Sequence, residues 1–421
     1  MNVRRAWRRA LSIYLAGLGF TCAALAASSP LRVALVAPDR AGAGELGPLQ
    51  AALTAGFGFV STLAGGGAVG AAPLSAALSG AEVAIFLRGP GALSPADADA
   101  VRAFLASGRG IVVLAGAGAA WPSEPAFEAQ RLGGKAGGVF AEGAKLTLIN
   151  LFPHPIFGGI LRFDTDLPVP LFTALADDVQ MIMEGTVGEA TAPLAWVRRT
   201  AGARLVHLVP AGEPLFRDAT YQQLVGQAAL WAAARPIATA RPAVQRTFMP
   251  EATPGSFAIT LPGGPGLCLD PVRGGINYVW DGDFVDLRPR WITKEGAPAR
   301  IFGDVFYREK AWQPLRAGAP GAPPDFQFRG YALRDGVPEF HYLIGGRDVF
   351  ETFAPGREPG DLLRRFRVGP GSSTLWLNLE PQSESDVIVS GLERDGTHAV
   401  FAAPAGGEFT LEIRRRKGGA R

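Results

Sequence analysis

The chain has 421 residues and is 48% hydrophobic, which predicts a globular protein with two or three domain cores. Its 55 Gly and 34 Pro fall mostly between apolar runs, so they predict short turns and not disorder. The formal charge is +3, but four of the 41 basic residues are the arginines at positions 4, 5, 8 and 9. The remaining chain is close to neutral, and we expect no nucleic-acid partner.

Residues 1–27 have the pattern of an export signal. The four arginines precede an apolar stretch that ends in small residues, with Ala24-Leu25-Ala26 as a cleavage site. An uncleaved anchor is the alternative, but Leu11 to Ala27 is short for a membrane span, and no later segment has 18 uninterrupted apolar residues. Phe20 argues against a lipoprotein signal before Cys22. We predict an exported protein, periplasmic or secreted, without a membrane span after cleavage.

Cysteine usage excludes several kinds of site. Cys268 is the one cysteine outside the signal, so an intramolecular disulfide is excluded. The sequence has no CxxC or CxxCH motif for a thiolate zinc site or covalent haem. Its glycine-rich stretches lack GKS/T and the strand–GxGxxG–helix arrangement, so they predict turns and not nucleotide binding. We predict no cofactor and no metal.

Residues 31–236 alternate apolar strands with amphipathic helices, a βαβ pattern. Strands are predicted at LRVALVAP, AEVAIFLRG and GIVVLAGAG, with a helix at SPADADAVRAFLASG whose N-cap is Ser94. Continuous apolar runs predict parallel strands buried on both faces. TAPLAWVRRTAGARLVHLVPA predicts a hairpin that closes the far edge of the sheet, and YQQLVGQAALWAAAR a closing helix.

The pattern changes after residue 236. Residues 237–255 are proline-punctuated and predict a linker. Residues 256–416 consist of short alternating segments divided by turn residues, which predicts an all-β sandwich domain. Residues 417–421 are predicted as a basic tail, since the cluster IRRRKGGAR has no interleaved aromatic residues.

The first half resembles the ThuA-like (trehalose-utilisation) family. The matching text is AEVAIFLRGPGALSPADADAVRAFLASGRGIVVL, HPI at 154–156, PLAWVRRTAGARLVHL and FRDATYQQLVGQAALWAA. The resemblance implies a flavodoxin-like domain related to class I glutamine amidotransferases. The second half, through LPGGPGLCLDPVRGGINYVWDGDFVDLRPRW and FRGYALRDGVPEFHY, resembles a β domain that follows ThuA-like or cytochrome c modules in secreted proteins of planctomycete-type bacteria.

The resemblance also shows which family residues are missing. ThuA-like proteins usually have a histidine after the strand that ends here at Leu114, and Ala115 takes its place. A second histidine, in a Gly-His-Asp sequence, is replaced by Gly212, with Glu213 beside it. The amidotransferase nucleophile is absent, since residues 31–235 contain no cysteine. Alanine and glycine cannot transfer a proton, so we assign no catalytic residue.

Five residues of the first half are candidates for substrate binding: Arg88, Trp121, His154, Asp166 and Glu213. His154 lies between prolines and either meets a ligand or bonds local backbone. Glu213 either faces the cleft at a strand's carboxyl end or caps the next segment. His207, in an alternating strand, is predicted to be structural.

In the second half, aromatic residues lie near carboxylates, a combination that suits sugar recognition, although alternating aromatics also pack cores. The candidates are Trp280, Asp281, Tyr307, Glu339 and His341. Glu339 and His341 are two apart and therefore share one face of a strand. One histidine with one carboxylate gives too few ligands for a metal.

Three functions follow from these observations. The first is an exported carbohydrate-associated protein that binds a sugar or oxidised sugar with weak or no catalysis. The second is a non-catalytic module that docks on an extracytoplasmic cytochrome or dehydrogenase. The third is an altered sugar hydrolase or isomerase that uses Asp166 and Glu213.

Overall fold

The structure is a computed structural model. It describes residues 29–65, 72–87, 95–116, 132–141, 146–149, 153–160, 162–173, 175–187, 190–200, 203–289, 296–319 and 321–416. The predicted export signal, the N-cap Ser94, the predicted basic tail and two of the candidate residues, Arg88 and Trp121, lie outside the described residues.

The first part of the chain is an α/β structure built on a seven-stranded sheet. The strands of this part of the chain, including four outside the seven-stranded sheet, are β1 (Arg32–Val36), β2 (Val60–Ala64), β3 (Val83–Leu87), β4 (Gly110–Leu114), β5 (Lys135–Ala141), β6 (Leu146–Ile149), β7 (Arg162–Thr165), β8 (Val169–Thr173), β9 (Val179–Val187), β10 (Ala190–Thr200) and β11 (Ala203–Leu208). The sheet order is β2-β1-β3-β4-β11-β10-β9. The first five strands in this order are parallel, and β10 runs antiparallel to both of its neighbours, β11 and β9. The pairs β5–β8 and β6–β7 lie outside this sheet.

Helices cover both faces of the sheet. They are α1 (Arg40–Glu45), α2 (Gly47–Phe57), α3 (Leu74–Gly80), α4 (Pro95–Ala106), α5 (Glu213–Phe216) and α6 (Ala219–Ala232). Apolar residues of α2 and α6 share a core with one face, and those of α3 and α4 share a core with the other. Every residue of β3 and β4 is therefore buried, as their continuous apolar runs predict.

The predicted hairpin forms, but it does not close the sheet. Its second strand, β11, joins the parallel strand β4, and its first strand, β10, pairs with β9 on the other side. The far edge is thus β9, which the sequence analysis did not assign. Met181, Ile182 and Met183 are all buried in β9, so the strand lacks the simple alternation that marks a half-exposed edge strand.

The second part of the chain is β-rich. Its strands are β12 (Ala243–Arg246), β13 (Phe257–Thr260), β14 (Gly266–Asp270), β15 (Gly275–Asp281), β16 (Asp304–Arg308), β17 (Leu315–Ala317), β18 (Phe326–Arg334), β19 (Val337–Ile344), β20 (Arg347–Pro355), β21 (Leu362–Val368), β22 (Leu375–Asn378), β23 (Ser385–Ser390), β24 (Glu393–Asp395), β25 (His398–Phe401) and β26 (Gly407–Arg415). They form sheets ordered β12-β13-β14-β15-β16, β17-β22-β25-β24 and β18-β19-β20-β21-β26-β23. All three sheets contribute to one apolar core.

The segment predicted as a linker contains a strand. β12 pairs antiparallel with β13, and the Thr247 N–H donates to the Ser256 carbonyl at 2.9 Å to close the connection. Met249 in the same segment is completely buried. The sequence did not reveal this strand because its side chains are half-buried or exposed and give no apolar pattern.

A buried ionic network lies inside the β-rich core. Arg364 donates to Glu351 at 2.8 Å and to Glu309 at 2.9 Å. The hydroxyls of Tyr342 and Tyr307 donate to the same two carboxylates, at 3.1 and 3.2 Å. The carboxylates thus satisfy a guanidinium that is only 1% exposed, and the network joins β20 and β21 to the residue that follows β16.

Across the part of the chain that the structure describes, no helix has both the length and the apolar character needed to cross a membrane.

Candidate functional site

The carboxyl edge of the parallel strands is where open α/β sheets usually bind ligands. At the end of β4, Ala115 is 1% exposed, and its N–H donates to the Leu208 carbonyl of β11 at 2.9 Å. Ala115 and Ala211 both belong to the apolar core. Ala115, which occupies the position where the resemblance implies a histidine, is therefore part of the hydrophobic core.

The position of the second family histidine is also closed. Gly212 is buried, and a Cβ atom added there would lie 3.0 Å from Leu167 Cδ1. A histidine ring at residue 212 would require Leu167 to move. Leu167 packs against the same apolar core as Ala115, so this part of the edge is filled by hydrocarbon.

The two acidic candidates of this region point to solvent. Glu213 begins α5 and pairs with Arg217 at 2.7 Å, with 48% of its side chain exposed. Asp166 is exposed in the turn that precedes Leu167. Of the two alternatives for Glu213, the structure favours a solvent-exposed residue at the start of a helix over a residue that faces a cleft.

His154 lies elsewhere, in the contact between the two parts of the chain. Its side chain is completely buried, and Nδ1 accepts a long hydrogen bond of 3.4 Å from the Ile156 N–H. Nε2 lies 3.7 Å from Oδ2 of Asp283, a residue of the β-rich part. The ring centroid is 5.4 Å from that of Trp231 in α6. His154 therefore bonds local backbone and also approaches a buried carboxylate.

Asp283 is the centre of a charged cluster between the two parts. Arg199 Nη2 donates to its Oδ2 at 2.9 Å, and Trp231 Nε1 donates to its Oδ1 at 3.0 Å. Burial alone would raise the pKa of Asp283, but Arg199 and His154 hold that pKa well below its usual range. Asp283 is therefore a buried, ionised group whose charge is compensated by the α/β part.

This cluster, which we call the Asp283 cluster (His154, Arg199, Trp231 and Asp283), lies at the amino edge of the parallel strands. Arg199 in β10 pairs with Arg204 near the start of β11. The next residue, Leu205, pairs with Ile111 near the start of β4. Arg204 donates to the Trp231 carbonyl at 3.2 Å. The cluster is thus at the opposite edge from the expected ligand site.

Further polar contacts join the two parts near the cluster. Gln180 Nε2 in β9 donates to the Phe284 carbonyl at 2.6 Å, and Arg300 donates to the Asp177 carbonyl. Asp281, a candidate for sugar recognition, pairs with Arg199 at 3.4 Å and also with Arg415. The structure therefore uses Asp281 to connect β26 and the α/β part.

Two further sugar-binding candidates are core residues. Trp280 is completely buried, and its Nε1 donates to the Asp283 carbonyl at 3.1 Å. Tyr307 is 7% exposed, and burial and the neighbouring Glu309 raise its pKa well above its usual value. Neither ring offers a face to a sugar in this structure, and the alternative of core packing describes both residues.

Glu339 and His341 share the outer face of β19, as their spacing predicts. His341 Nε2 lies 2.7 Å from Asp348 Oδ1, and the ring stacks on Phe350 at 4.4 Å. Glu339 pairs with Arg334 at 3.4 Å and with Arg367 at 3.5 Å. Both residues are thus engaged by strand neighbours, and no group of three or more His, Cys, Asp or Glu suited to a metal occurs among the described residues.

His207 lies inside the sheet. It stacks on Trp196 at 3.9 Å with nearly parallel rings, and its side chain is surrounded by core residues. Burial lowers its pKa to about 3, so the imidazole is neutral at physiological pH. Its position is that of a structural histidine.

No family model matches the chain, and no curated protein matches its sequence. Among solved structures, a ThuA-like protein of Parabacteroides merdae is 14% identical, with a TM-score of 0.38 over 48% of this chain and 90% of that protein. A cytoplasmic protein of Salmonella typhimurium is 12% identical, with a TM-score of 0.33 over 44% of this chain and 84% of that protein.

A third similar structure is the carbohydrate deacetylase Agd3. It is 13% identical, with a TM-score of 0.35 over 52% of this chain and 35% of that protein.

Proposed function

We propose that the protein is an exported, carbohydrate-associated binding protein and not a proton-transfer enzyme. The observation that carries this proposal is the composition of the described part of the carboxyl edge, where Ala115 and Gly212 have no ionisable side chain and Leu167 fills the adjacent space. General acid–base catalysis needs an ionisable group within hydrogen-bond reach of the substrate. Asp166 and Glu213, which adjoin Leu167 and Gly212 in the sequence, are exposed to solvent.

The architecture supports the same proposal. The strand order β2-β1-β3-β4 with helices on both faces agrees with a flavodoxin-like interpretation of the α/β part. The sheets of the β-rich part around one core agree with a sandwich. The Asp283 cluster connects the two parts, because Arg199 of the α/β part pairs with Asp283 of the β-rich part. The α/β part and the β-rich part therefore form one binding unit in this proposal.

The carbohydrate assignment depends on the ThuA-like resemblance of the sequence, and a binding experiment tests it. Titration calorimetry on the full chain with trehalose, glucosides, their 3-keto forms, and neutral and acidic oligosaccharides is expected to show binding of at least one sugar without turnover. Binding of none would overturn the proposal.

Turnover of the bound sugar tests the absence of catalysis. If the sugar is converted, and if Asp166→Asn or Glu213→Gln abolishes that conversion, the protein is an enzyme and the proposed function is wrong. Asp164→Asn is the matched control, because Asp164 is an exposed aspartate two residues from Asp166.

A further inference from the structure

We propose that Trp312 is a stacking site for a sugar ring of an acidic oligosaccharide. This inference rests on the proposed function and names the ligand class and the place where it binds. Trp312 is 54% exposed, in the connection between β16 and β17. An exposed indole leaves a large apolar area in contact with water, and the C–H face of a pyranose ring has a matching size and shape to cover it.

The segment that presents the indole, residues 309–314 (the Trp312 loop), is held by two arginines. Arg273 donates to the carbonyls of Glu309 and Lys310 at 2.9 and 2.8 Å. Arg316 donates to the carbonyls of Gln313 and Trp312 at 2.9 and 2.7 Å. These hydrogen bonds hold the backbone on both sides of the ring. The loop therefore loses little conformational entropy when a ligand binds there.

Backbone donors of the same loop are engaged as well. The Lys310 N–H donates to Glu380 at 2.7 Å, and the Gln313 N–H donates to the Arg273 carbonyl at 2.6 Å. The Arg273 guanidinium lies 5.5 Å from the centroid of the Trp312 ring. The indole is therefore packed against a cation while about half of its side chain stays in water.

The charge around the indole is positive. Arg273 and Arg316 contact the Trp312 loop, Lys310 belongs to it, and none of the three forms an ion pair among the described residues. Two acids lie at the loop: Glu309 is buried and is compensated by Arg364, and Glu380 accepts from the Lys310 N–H, so the three cations outnumber the one remaining carboxylate. A ligand with carboxylates gains from this excess of cations, which favours uronic acid units over neutral sugars.

The apolar area around Trp312 is small. Val272, which precedes Arg273 in the sequence, is the other exposed large apolar residue of this region and is 55% exposed. A stable protein interface needs roughly 800 Å² on each partner, and an interfacial membrane helix needs a continuous apolar face. One indole and one valine match a single sugar ring better than either of these partners.

The experiment compares oligogalacturonate with a cello-oligosaccharide of equal length, by titration calorimetry on the full chain. The wild type is expected to bind the acidic oligosaccharide more tightly, with an affinity that falls as salt is raised. Trp312→Ala is expected to weaken binding by about tenfold or more, Trp312→Phe by less, and Lys310→Glu to weaken the acidic ligand selectively.

Tyr331→Ala is the matched control, because Tyr331 is another exposed aromatic, 49% exposed, on β18. It is expected to leave the affinity unchanged. The melting temperature of each variant checks that folding is intact. Because Trp312 is exposed, its substitution is expected to leave the fold unchanged.

Four outcomes would overturn the inference. If the wild type binds a sugar and Trp312→Ala binds it equally well, the Trp312 site is wrong while the proposed function stands. Equal affinity for both oligosaccharides would contradict the acidic ligand class. Binding of vesicles rich in phosphatidylglycerol through Trp312, without binding of oligosaccharide, would instead identify a membrane contact. Failure of the wild type to bind any sugar removes the proposed function as well.

Discussion

The two edges of the parallel sheet differ in the kind of residue they hold. The carboxyl edge, at Ala115 and Gly212, is packed with small apolar groups. The amino edge carries Arg199, whose guanidinium meets the buried carboxylate of Asp283. The pair of Arg199 and Asp283 at this edge therefore attaches a second structural unit, and a strongly perturbed pKa at such a place does not by itself identify a catalytic group.

The largest effect is expected from breaking the Asp283 cluster. Asp283→Asn leaves Arg199 and His154 facing a neutral amide in a buried place, because the carboxylate is only 9% exposed. The loss of one partner from such a pair is expected to lower the free energy of unfolding by about 3 kcal/mol. Urea denaturation followed by tryptophan fluorescence measures this change.

A second ion pair of the same length provides the control. Arg198 and Asp178 are also 2.9 Å apart, but the Asp178 side chain is 50% exposed. Asp178→Asn is expected to change the free energy of unfolding by less than about 1 kcal/mol. Equal effects of the two substitutions would show that the Asp283 cluster is an ordinary surface contact and would remove the contrast between the edges.

The sequence predicted the elements that depend on local pattern. The strands β1, β3 and β4 are apolar runs, and each was assigned from the sequence. The alternation in β19 placed Glu339 and His341 on one face. β9 was missed because Gln180 and Glu184 limit its central apolar run to three residues. β12 was missed because it has no buried residue that would show an alternating pattern.

The Asp283 cluster was not predictable from local spacing. Arg199 and Asp283 are 84 residues apart and belong to different parts of the chain. The sequence singled out His154 for its position between prolines, but the identity of its neighbour depends on how the two parts pack. Asp281 was chosen from the same WDGD segment, and the residue that is buried proved to be the second aspartate of that segment.

A smaller effect is expected from a buried group without a charged partner. His207, in β11 between the two edges, has a pKa of about 3, so it stays neutral when folded but binds a proton near pH 6.5 when unfolded. The stability that it contributes is present above pH 6.5 and is lost as the pH falls toward 3. Between pH 7 and pH 5 we expect a loss of about 2 kcal/mol.

Unfolding measured at both pH values in wild type and His207→Phe tests this expectation. The phenylalanine variant is expected to lose much less stability between pH 7 and pH 5. His341→Gln is the control, because it removes a partly exposed histidine outside the α/β sheet. An unchanged pH dependence in His207→Phe would show that the interior of the sheet accommodates an unpaired charge, and the contrast with the compensated Asp283 would disappear.

The smallest effect is expected at the carboxyl edge. Gly212→His restores the residue type that the ThuA-like resemblance expects, but its Cβ would lie 3.0 Å from Leu167 Cδ1. Overpacking of this kind is expected to lower the free energy of unfolding by about 1 kcal/mol, because the atom approached is the end of a flexible side chain. Backbone strain does not contribute, because Gly212 has an extended φ of 170°.

A double-mutant cycle with Leu167→Ala separates crowding from other causes. The double variant is expected to lose less stability than the sum of the two single changes, since removal of the leucine makes room for the imidazole. If the two changes are additive in urea denaturation, Leu167 does not occupy the place of the family histidine. The edge would then be an open pocket that lacks only its side chains, and the binding cleft would have to be sought there as well as at Trp312.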